Sequence, residues 1–378
     1  MDNSTNILSA KRVVVKVGSA LLVDEEDGKL YKSWLEKFAQ DVSRMKERGQ
    51  EVIIVSSGAI ALGKRYLAMQ KMRLRLDEKQ AAAAIGMIRL AHAYQEVLEK
   101  HNLTVAQILL TLSDSESRRR YINAKNTLNS LLRLGAVPLI NENDTVATDE
   151  IRFGDNDRLA ARVSAMVSAD ILVLLSNVSG LFSEDPRINP NAKKIELVKG
   201  HISEKIEAMA SKTPSREGSG GMVTKLQAAR ISMSAGTKMV ISNGNQMNPL
   251  KKLEKPDVGT WFTPTQNPKR ARKNWIAGAL KPMGIIKVDE GAERALRLGK
   301  SLLPAGVLSI DGNFQKGDAV VIVSMNGGEL ARGLIAYSSS DAQLIKGHKT
   351  HQIEAFLSYR GRDELIHRDD MVLMDSKE

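Results

Sequence analysis

Residues 137–163, VPLINENDTVATDEIRFGDNDRLAARV, gather Asn141, Glu142, Asn143, Asp144, Asp149, Glu150, Asp155, Asn156 and Asp157 between an apolar run and a helix-like pattern. Carboxylates and amides at that density suit an amine, a Mg²⁺ ion or lysines that face phosphate. The same composition also describes a solvated turn, so the segment gains meaning only beside other candidates. Three other stretches offer complementary chemistry. Lys16-Val17-Gly18-Ser19 ends a β-branched run, and such a turn frees backbone N–H groups for phosphate oxygens while the lysine adds positive charge. Ser56-Ser57-Gly58 follows a second apolar run and leads into a helical pattern near Ala59, aiming helix-start amides at a carboxylate or phosphate. SKTPSREGSGGMVT (211–224) is rich in glycine and serine and runs into Lys225, as a loop that closes over phosphates would. None of these turns matches the Walker pattern or G-x-G-x-x-G.

The elements needed to hold these residues follow from periodicity. Apolar β-branched runs at 11–23, 52–55, 105–112, 136–140, from Ile171 and at 238–244 read as strands, most of them buried. Between them, 32–49, the stretch from Ala59, 78–100, 121–134, 158–168 and the stretch from Lys225 read as helices. The alternation describes an α/β protein with a mainly parallel sheet, and ligands bind such sheets at the carboxyl ends of the strands. The Ala-rich piece and Gly86 within 78–100 imply close helix packing. Residues 255–282, with Pro256, Gly259, Pro264, Pro268 and Pro282 around KRARK, read as a domain boundary. Beyond them short β-like pieces separated by Gly, Asp and Asn turns suggest a small β-barrel with one helix at 290–299.

Length and composition bound the rest. At 378 residues two domains are expected, and 42% hydrophobic with 26% charged residues is ordinary for a globular chain. The absence of cysteine excludes disulfides, thiolate catalysis and Cys-based zinc sites. No apolar run reaches the ~18–20 residues that span a bilayer, and no basic-then-apolar leader opens the chain, so a cytoplasmic protein is expected. The formal charge of +11 suits anionic ligands without specifying them.

Taken together, VVVKVGS (13–19), IVSSGAIALG (54–63), PLINENDTVAT (138–148), FGDNDRLAA (153–161), GLFSEDPRINP (180–190) and GSGGMVTKLQAA (218–229) resemble the bacterial glutamate 5-kinases of the amino acid kinase family. VDEGAERAL (288–296) and SLLPAGV (301–307) resemble the start of a PUA domain. The resemblance covers essentially the whole chain. It implies a three-layer α/β/α sandwich with a mainly parallel sheet at 1–265, a linker at 266–282 and a small β-barrel-like PUA domain at 283–378. It also implies ATP- and Mg²⁺-dependent phosphorylation of the side-chain carboxylate of L-glutamate, the first step of proline biosynthesis, with proline as inhibitor. A homo-oligomer, dimer or tetramer, and RNA binding by the PUA-like domain are further expectations.

Carried over position by position, the resemblance implies that Ser57, Asp144 and Asn156 bind glutamate. Lys16 and Lys225 would hold ATP phosphates and stabilise the transferring charge, with Asp157 orienting them. Ser176, Asn177 and the loop Ser219, Gly220, Gly221, Met222, Val223, Thr224 and Lys225 would surround the nucleotide. The chain departs from the family pattern at Ser176-Asn177, where Thr-Asp is usual, and at Gly18-Ser19-Ala20, where a further hydroxyl is common. Kinases of the same fold acting on aspartate, N-acetylglutamate, carbamate or UMP are the nearest rivals.

Overall fold

The computed structural model describes residues 5–24, 26–70, 72–147, 155–211, 221–255, 258–278 and 282–374. The chain separates into two compact units, Met1–Glu116 with Ala124–Pro268, and Ser117–Asn123 with Lys269–Glu378.

The first unit begins with β1 (Arg12–Val17), α1 (Ser19–Leu22), α2 (Lys32–Glu47), β2 (Glu51–Ser56), α3 (Ala59–Tyr66) and α4 (Leu76–Glu99). It continues through β3 (Val105–Leu110), α5 (Leu112–Glu116), α6 (Arg118–Arg133), β4 (Val137–Glu142), α7 (Asp155–Val167) and β5 (Ile171–Ser176). Short strands β6 (Leu181–Phe182), β7 (Lys194–Ile195) and β8 (Leu197–Lys199) precede α8 (Glu204–Ser211), α9 (Met222–Ser234), β9 (Lys238–Asn243), α10 (Pro249–Lys252) and β10 (Thr260–Thr263).

Eight strands form one sheet in the order β3-β4-β2-β1-β5-β9-β10-β8. The first six run parallel, and β10 pairs antiparallel with β9. The chain leaves β1 for β2 on one side and later returns to β5 on the other, so β1 lies at the switch of direction where open α/β sheets bind ligands.

Strand parity assigns each side chain to a face. Val13, Val15 and Val17 of β1 share a core with Trp34, Leu35 and Phe38 of α2 and with α3 and α4. Val14 and Lys16 therefore point to the other face, which α7 and α9 cover. The near-continuous apolar strands expected of a sheet covered on both faces are thus observed, and the three-layer α/β/α arrangement holds. One strand was hidden by its punctuation. TWFT of β10 is buried in the sheet, although Gly259 and Pro264 made its surroundings look like a boundary.

Residues 268–278, within the stretch expected as a linker, form helix α11 (Pro268–Gly278). The second unit then contains β11 (Gly284–Val288), α12 (Glu290–Arg297), β12 (Val307–Gly312), β13 (Ala319–Val323), β14 (Glu329–Leu334), α13 (Ser339–Ile345), α14 (Ile353–Leu357) and β15 (Met371–Leu373). Its five strands are ordered β12-β11-β13-β14-β15 around a separate core that includes Ile286, Phe314, Ile322 and Ile366. The first turn of α6 belongs to this unit through Ile122, buried with Ile276, Ala319 and Leu334. Among the described residues no helix is long and apolar enough to cross a membrane.

Candidate active site

The sheet delivers one side chain from β1 and the covering helices deliver the rest. Lys16 projects to the face where α7 carries Asp157 and the first turn of α9 carries Thr224 and Lys225. Lys16 Nζ lies 2.7 Å from Asp157 Oδ1, and Lys225 Nζ lies 3.1 Å from Asp157 Oδ2. The Thr224 hydroxyl donates to Asp157 Oδ2 at 3.1 Å and to the Gly221 carbonyl at 2.8 Å. Asp157 is fully buried, Lys16 7% exposed and Lys225 4% exposed. Burial alone would raise the Asp157 carboxyl, but the two ammonium groups outweigh it and hold the group at about 2. Burial draws Lys225 below its usual value, against the pull of Asp157.

The cluster therefore carries two positive charges on one negative charge in a largely dry site. That net positive charge stands beside the amino end of α9, whose free N–H groups favour an anion.

Asn156 precedes Asp157 on α7 and turns toward a different set of groups. Its Nδ2 donates to the Ser56 carbonyl at 3.1 Å, to Ser57 Oγ at 2.9 Å and to Asn141 Oδ1 at 3.0 Å. These bonds leave Asn156 Oδ1 buried without a partner among the described residues. A buried orphan acceptor costs about 1–3 kcal/mol and calls for a donor from a ligand. The hydroxyl of Ser57 accepts from Asn156, which leaves its proton available to a ligand acceptor.

Asp144 follows β4 in a turn where Val146 N and Ala147 N both donate to the Asn143 carbonyl. Its carboxyl is 6% exposed, and among the described residues no hydrogen bond or ion pair reaches it. Burial raises it to about 6. A buried carboxylate without a cation and a buried amide oxygen without a donor both ask for the same ligand group, an ammonium.

Six of the sequence-derived site residues thus fall into two linked sets. Lys16, Asp157, Thr224 and Lys225 meet directly, as do Ser57 and Asn156, and the Asn156-Asp157 step joins the sets. Asp144 stands three residues beyond Asn141. Gly221 caps α9, and Met222 and Val223 open it. Ser176 and Asn177 stand at the carboxyl end of β5, hydrogen-bonded to each other at 3.3 Å, and no bond among the described residues joins them to the lysines. Ser219 and Gly220 lie outside the described residues. Among the described residues no group of three or more His, Asp or Glu side chains is arranged to hold a metal ion, and Asp157 is already occupied by lysines.

Two supporting roles had no assignment from the sequence. Asn141 is buried at 5% exposure and accepts from Asn156, so it positions the amide that faces the ligand. An amide near the end of an otherwise apolar strand was its only signal. Gln80 on α4 donates to the Ala147 carbonyl at 3.0 Å and ties down the turn that carries Asp144. Replacing Gln80 by alanine is expected to raise the KM for the amine-bearing substrate about 3–10-fold with kcat little changed, matching the loss of one ordinary hydrogen bond of about 0.5–1.5 kcal/mol. An unchanged KM in steady-state kinetics would show that the tether positions nothing.

The close packing expected from Gly86 is present, between α3 and α4 of the same unit. A Cβ at Gly86 would lie 1.7 Å from the Ala59 carbonyl oxygen, and one at Gly63 would lie 1.7 Å from that of Ala82. Both obstacles are backbone, so α3 would have to move, and with it the Ser57-Gly58 turn at its start. Gly58 itself needs its φ of +109° to make that turn. Gly86→Ala is expected to destabilise the protein by about 2–3 kcal/mol, seen as a Tm lowered by several degrees in thermal unfolding.

Residues 11–243 match the model of the amino acid kinase family and residues 284–357 match the PUA domain. A glutamate 5-kinase of Paramagnetospirillum magneticum is 57% identical over 97% of this chain and 99% of its own length. A glutamate 5-kinase of Rhodospirillum rubrum is 55% identical over 95% of this chain and 96% of its own. One of Agrobacterium fabrum is 52% identical over 97% and 94%.

Proposed function

The chain belongs to the amino acid kinase family, among the glutamate 5-kinases with a PUA domain, and we propose on that premise that it phosphorylates L-glutamate with ATP. A side-chain carboxylate oxygen attacks the γ-phosphorus, the bond to the β,γ-bridging oxygen breaks, and ADP and L-glutamyl 5-phosphate leave. The product commits glutamate to proline biosynthesis. A carboxylate is ionised at neutral pH, so no general base is required and catalysis consists of positioning and charge neutralisation.

The observation that carries this reading is the buried Lys16–Asp157–Lys225 cluster at the switch point of the sheet. Lys16 and Lys225 neutralise the transferring phosphoryl group, and Asp157 pairs with both ammonium groups and aims them. Gly221, Met222, Val223 and Thr224 offer backbone N–H groups to the phosphates, and Ser219 and Gly220 are assigned to ATP with them. Ser176 and Asn177 line the nucleotide side. Asp144 and the Asn156 Oδ1 atom take the α-ammonium of glutamate, and the Ser57 hydroxyl donates to its α-carboxylate. Mg²⁺ supplies further charge neutralisation when bound to the ATP phosphates, a role that leaves Asp157 to the lysines.

The proposal extends to proline as an inhibitor, because its ammonium and carboxylate fit the same Asp144, Asn156 and Ser57 groups. It also extends to a dimer or tetramer, to RNA as a partner of the PUA domain, and to the cytoplasm, where ATP and free glutamate are both at hand. The kinase domain is assigned to 1–265, the linker to 266–282 and the PUA domain to 283–378.

The test is hydroxylamine trapping of the acyl phosphate with a panel of acceptors. Glutamate is expected to give hydroxamate at least 100-fold faster than aspartate, N-acetylglutamate or glutarate, since the last two lack the ammonium that Asp144 requires. Equal rates with glutarate would refute the amine site, and activity with aspartate alone would move the chain to another branch.

A further inference from the structure

The face of the sheet opposite the lysines carries a row of aromatic side chains. Trp34 and Phe38 lie one turn apart on α2, and Tyr94 joins them from α4. The rings of Trp34 and Phe38 are stacked, with centroids 5.4 Å apart and planes 9° apart. Phe38 and Tyr94 meet edge to face at 6.4 Å and 81°. All three are buried in the core that includes Val13, Val15 and Val17 of β1. Close-packed rings cannot turn without displacing their neighbours, so the row is a rigid frame.

Each end of the row carries a polar tip. At one end the fully buried Ser56 hydroxyl donates to the Tyr94 phenol oxygen at 3.1 Å and to the Ser57 carbonyl at 3.1 Å. The Ser56 carbonyl and Ser57 Oγ are the groups that accept from Asn156. Tyr94 therefore grips the turn that presents the amino-acid site. Burial raises its phenol above the usual value, so it stays a neutral hydroxyl near pH 7. At the other end Trp34 Nε1 donates to the Gly244 carbonyl at 2.7 Å. Gly244 N in turn donates to the Ser176 carbonyl at 2.7 Å. A Cβ at Gly244 would collide with the Leu21 side chain, so this turn is held tightly.

A buried Tyr or Trp needs a partner for its polar tip, and any oxygen in the core would satisfy it. Here both partners lie at the carboxyl ends of parallel strands, β2 and β9, on the ligand-binding edge of the sheet.

We propose that Tyr94 and Trp34 are positioning residues, Tyr94 setting the Ser56-Ser57 turn for glutamate and Trp34 setting the Gly244–Ser176 edge for ATP. The two substrates named here rest on the function proposed above. Neither residue touches a substrate, so each acts through the turn it holds and changes binding more than turnover.

The experiment is steady-state kinetics on the full chain with each substrate varied in turn. Tyr94→Phe keeps the ring and is expected to raise the glutamate KM about 3–10-fold, the scale of one hydrogen bond, with kcat and the ATP KM within about 2-fold of wild type. Trp34→Phe is expected to give the converse, an ATP KM raised about 3–10-fold with kcat and the glutamate KM within about 2-fold. Phe38→Leu disturbs the same packing without removing a polar tip, so it should lower Tm and leave both KM values in place. Ser56→Ala should raise the glutamate KM by a factor similar to that of Tyr94→Phe, and the double variant should raise it little further, because both remove one bond. That pair keeps the test open if Trp34→Phe does not fold. Variants that shift both KM values together, or neither, would overturn the positioning roles, as would a Phe38→Leu variant that reproduces either shift. Wild-type protein without glutamate kinase activity would overturn the proposed function and this inference with it, which separates the two failures.

Discussion

Asp157→Ala is expected to lower kcat by 10³-fold or more and to cost the fold about 3–5 kcal/mol at neutral pH. Both losses share one origin. Asp157 is in direct contact with the buried ammonium groups of both Lys16 and Lys225, and removing one member of a buried ion cluster leaves uncompensated charge. The lysines would relieve this repulsion by moving apart or by losing a proton, and either response removes their grip on phosphate. The pH dependence follows the same logic. The folded carboxyl lies near 2, below its ordinary 3.8, so its contribution is present above about pH 4 and is lost as pH falls through 2. Thermal unfolding and steady-state kinetics on the purified variant check both effects, and a variant with wild-type Tm and kcat would remove Asp157 from the account.

Asp144→Asn should move stability and binding in opposite directions. The folded Asp144 carboxyl is raised to about 6 by burial. A raised acid favours folding below its unfolded value and loses that contribution as pH rises through its folded value. At pH 7 the ligand-free protein therefore carries an ionised carboxylate that no described residue pairs with, at a cost of roughly 3 kcal/mol, about 1.4 kcal/mol for each of two pH units. Asparagine removes the charge while keeping the shape, so Tm without ligand is expected to rise by several degrees. Glutamate affinity should fall about 100-fold, the scale of losing a buried charge-paired contact. In the wild type, glutamate affinity should weaken as pH drops below about 6, where Asp144 takes a proton. A variant that is destabilised and still binds glutamate would contradict both parts.

The opposing signs explain why this segment could not be resolved from residue types alone. Its carboxylates looked equally suited to a metal, an amine or lysines, because composition does not say which are paired. The fold separates them. Asp157 lies within α7 against Lys16 and Lys225, whereas Asp144 lies in a turn where no cation among the described residues pairs with it. The strand–turn–helix steps at Val17-Gly18 and Ser56-Ser57-Gly58 were legible, since apolar runs ending in small residues punctuate the chain clearly.

Contacts between distant segments were not legible. Nothing in the spacing ties Gln80 to Ala147 or Asn141 to Asn156, because these bonds exist only once α4, β4 and α7 are packed. The three-residue step from Asn141 to Asp144 likewise gains its meaning only from the turn after β4. Among the elements, β10 was obscured by its flanking glycine and prolines, and α11 by the same breaker-rich composition around it. The glycines at 63 and 86 illustrate the middle ground: Gly86 signalled a close approach, and the partner helix became known only from the packing of α3 on α4.

The central claim is that two buried lysines neutralise the phosphoryl group while the acidic segment reads the amino acid. It is tested most directly by single-turnover phosphoryl transfer from ATP to glutamate, with both substrates saturating, in Lys16→Ala and Lys225→Ala. Each rate is expected to fall 10²–10³-fold, the scale of losing one preorganised charge, while glutamate affinity changes little. Transfer at close to the wild-type rate in either variant would contradict the account.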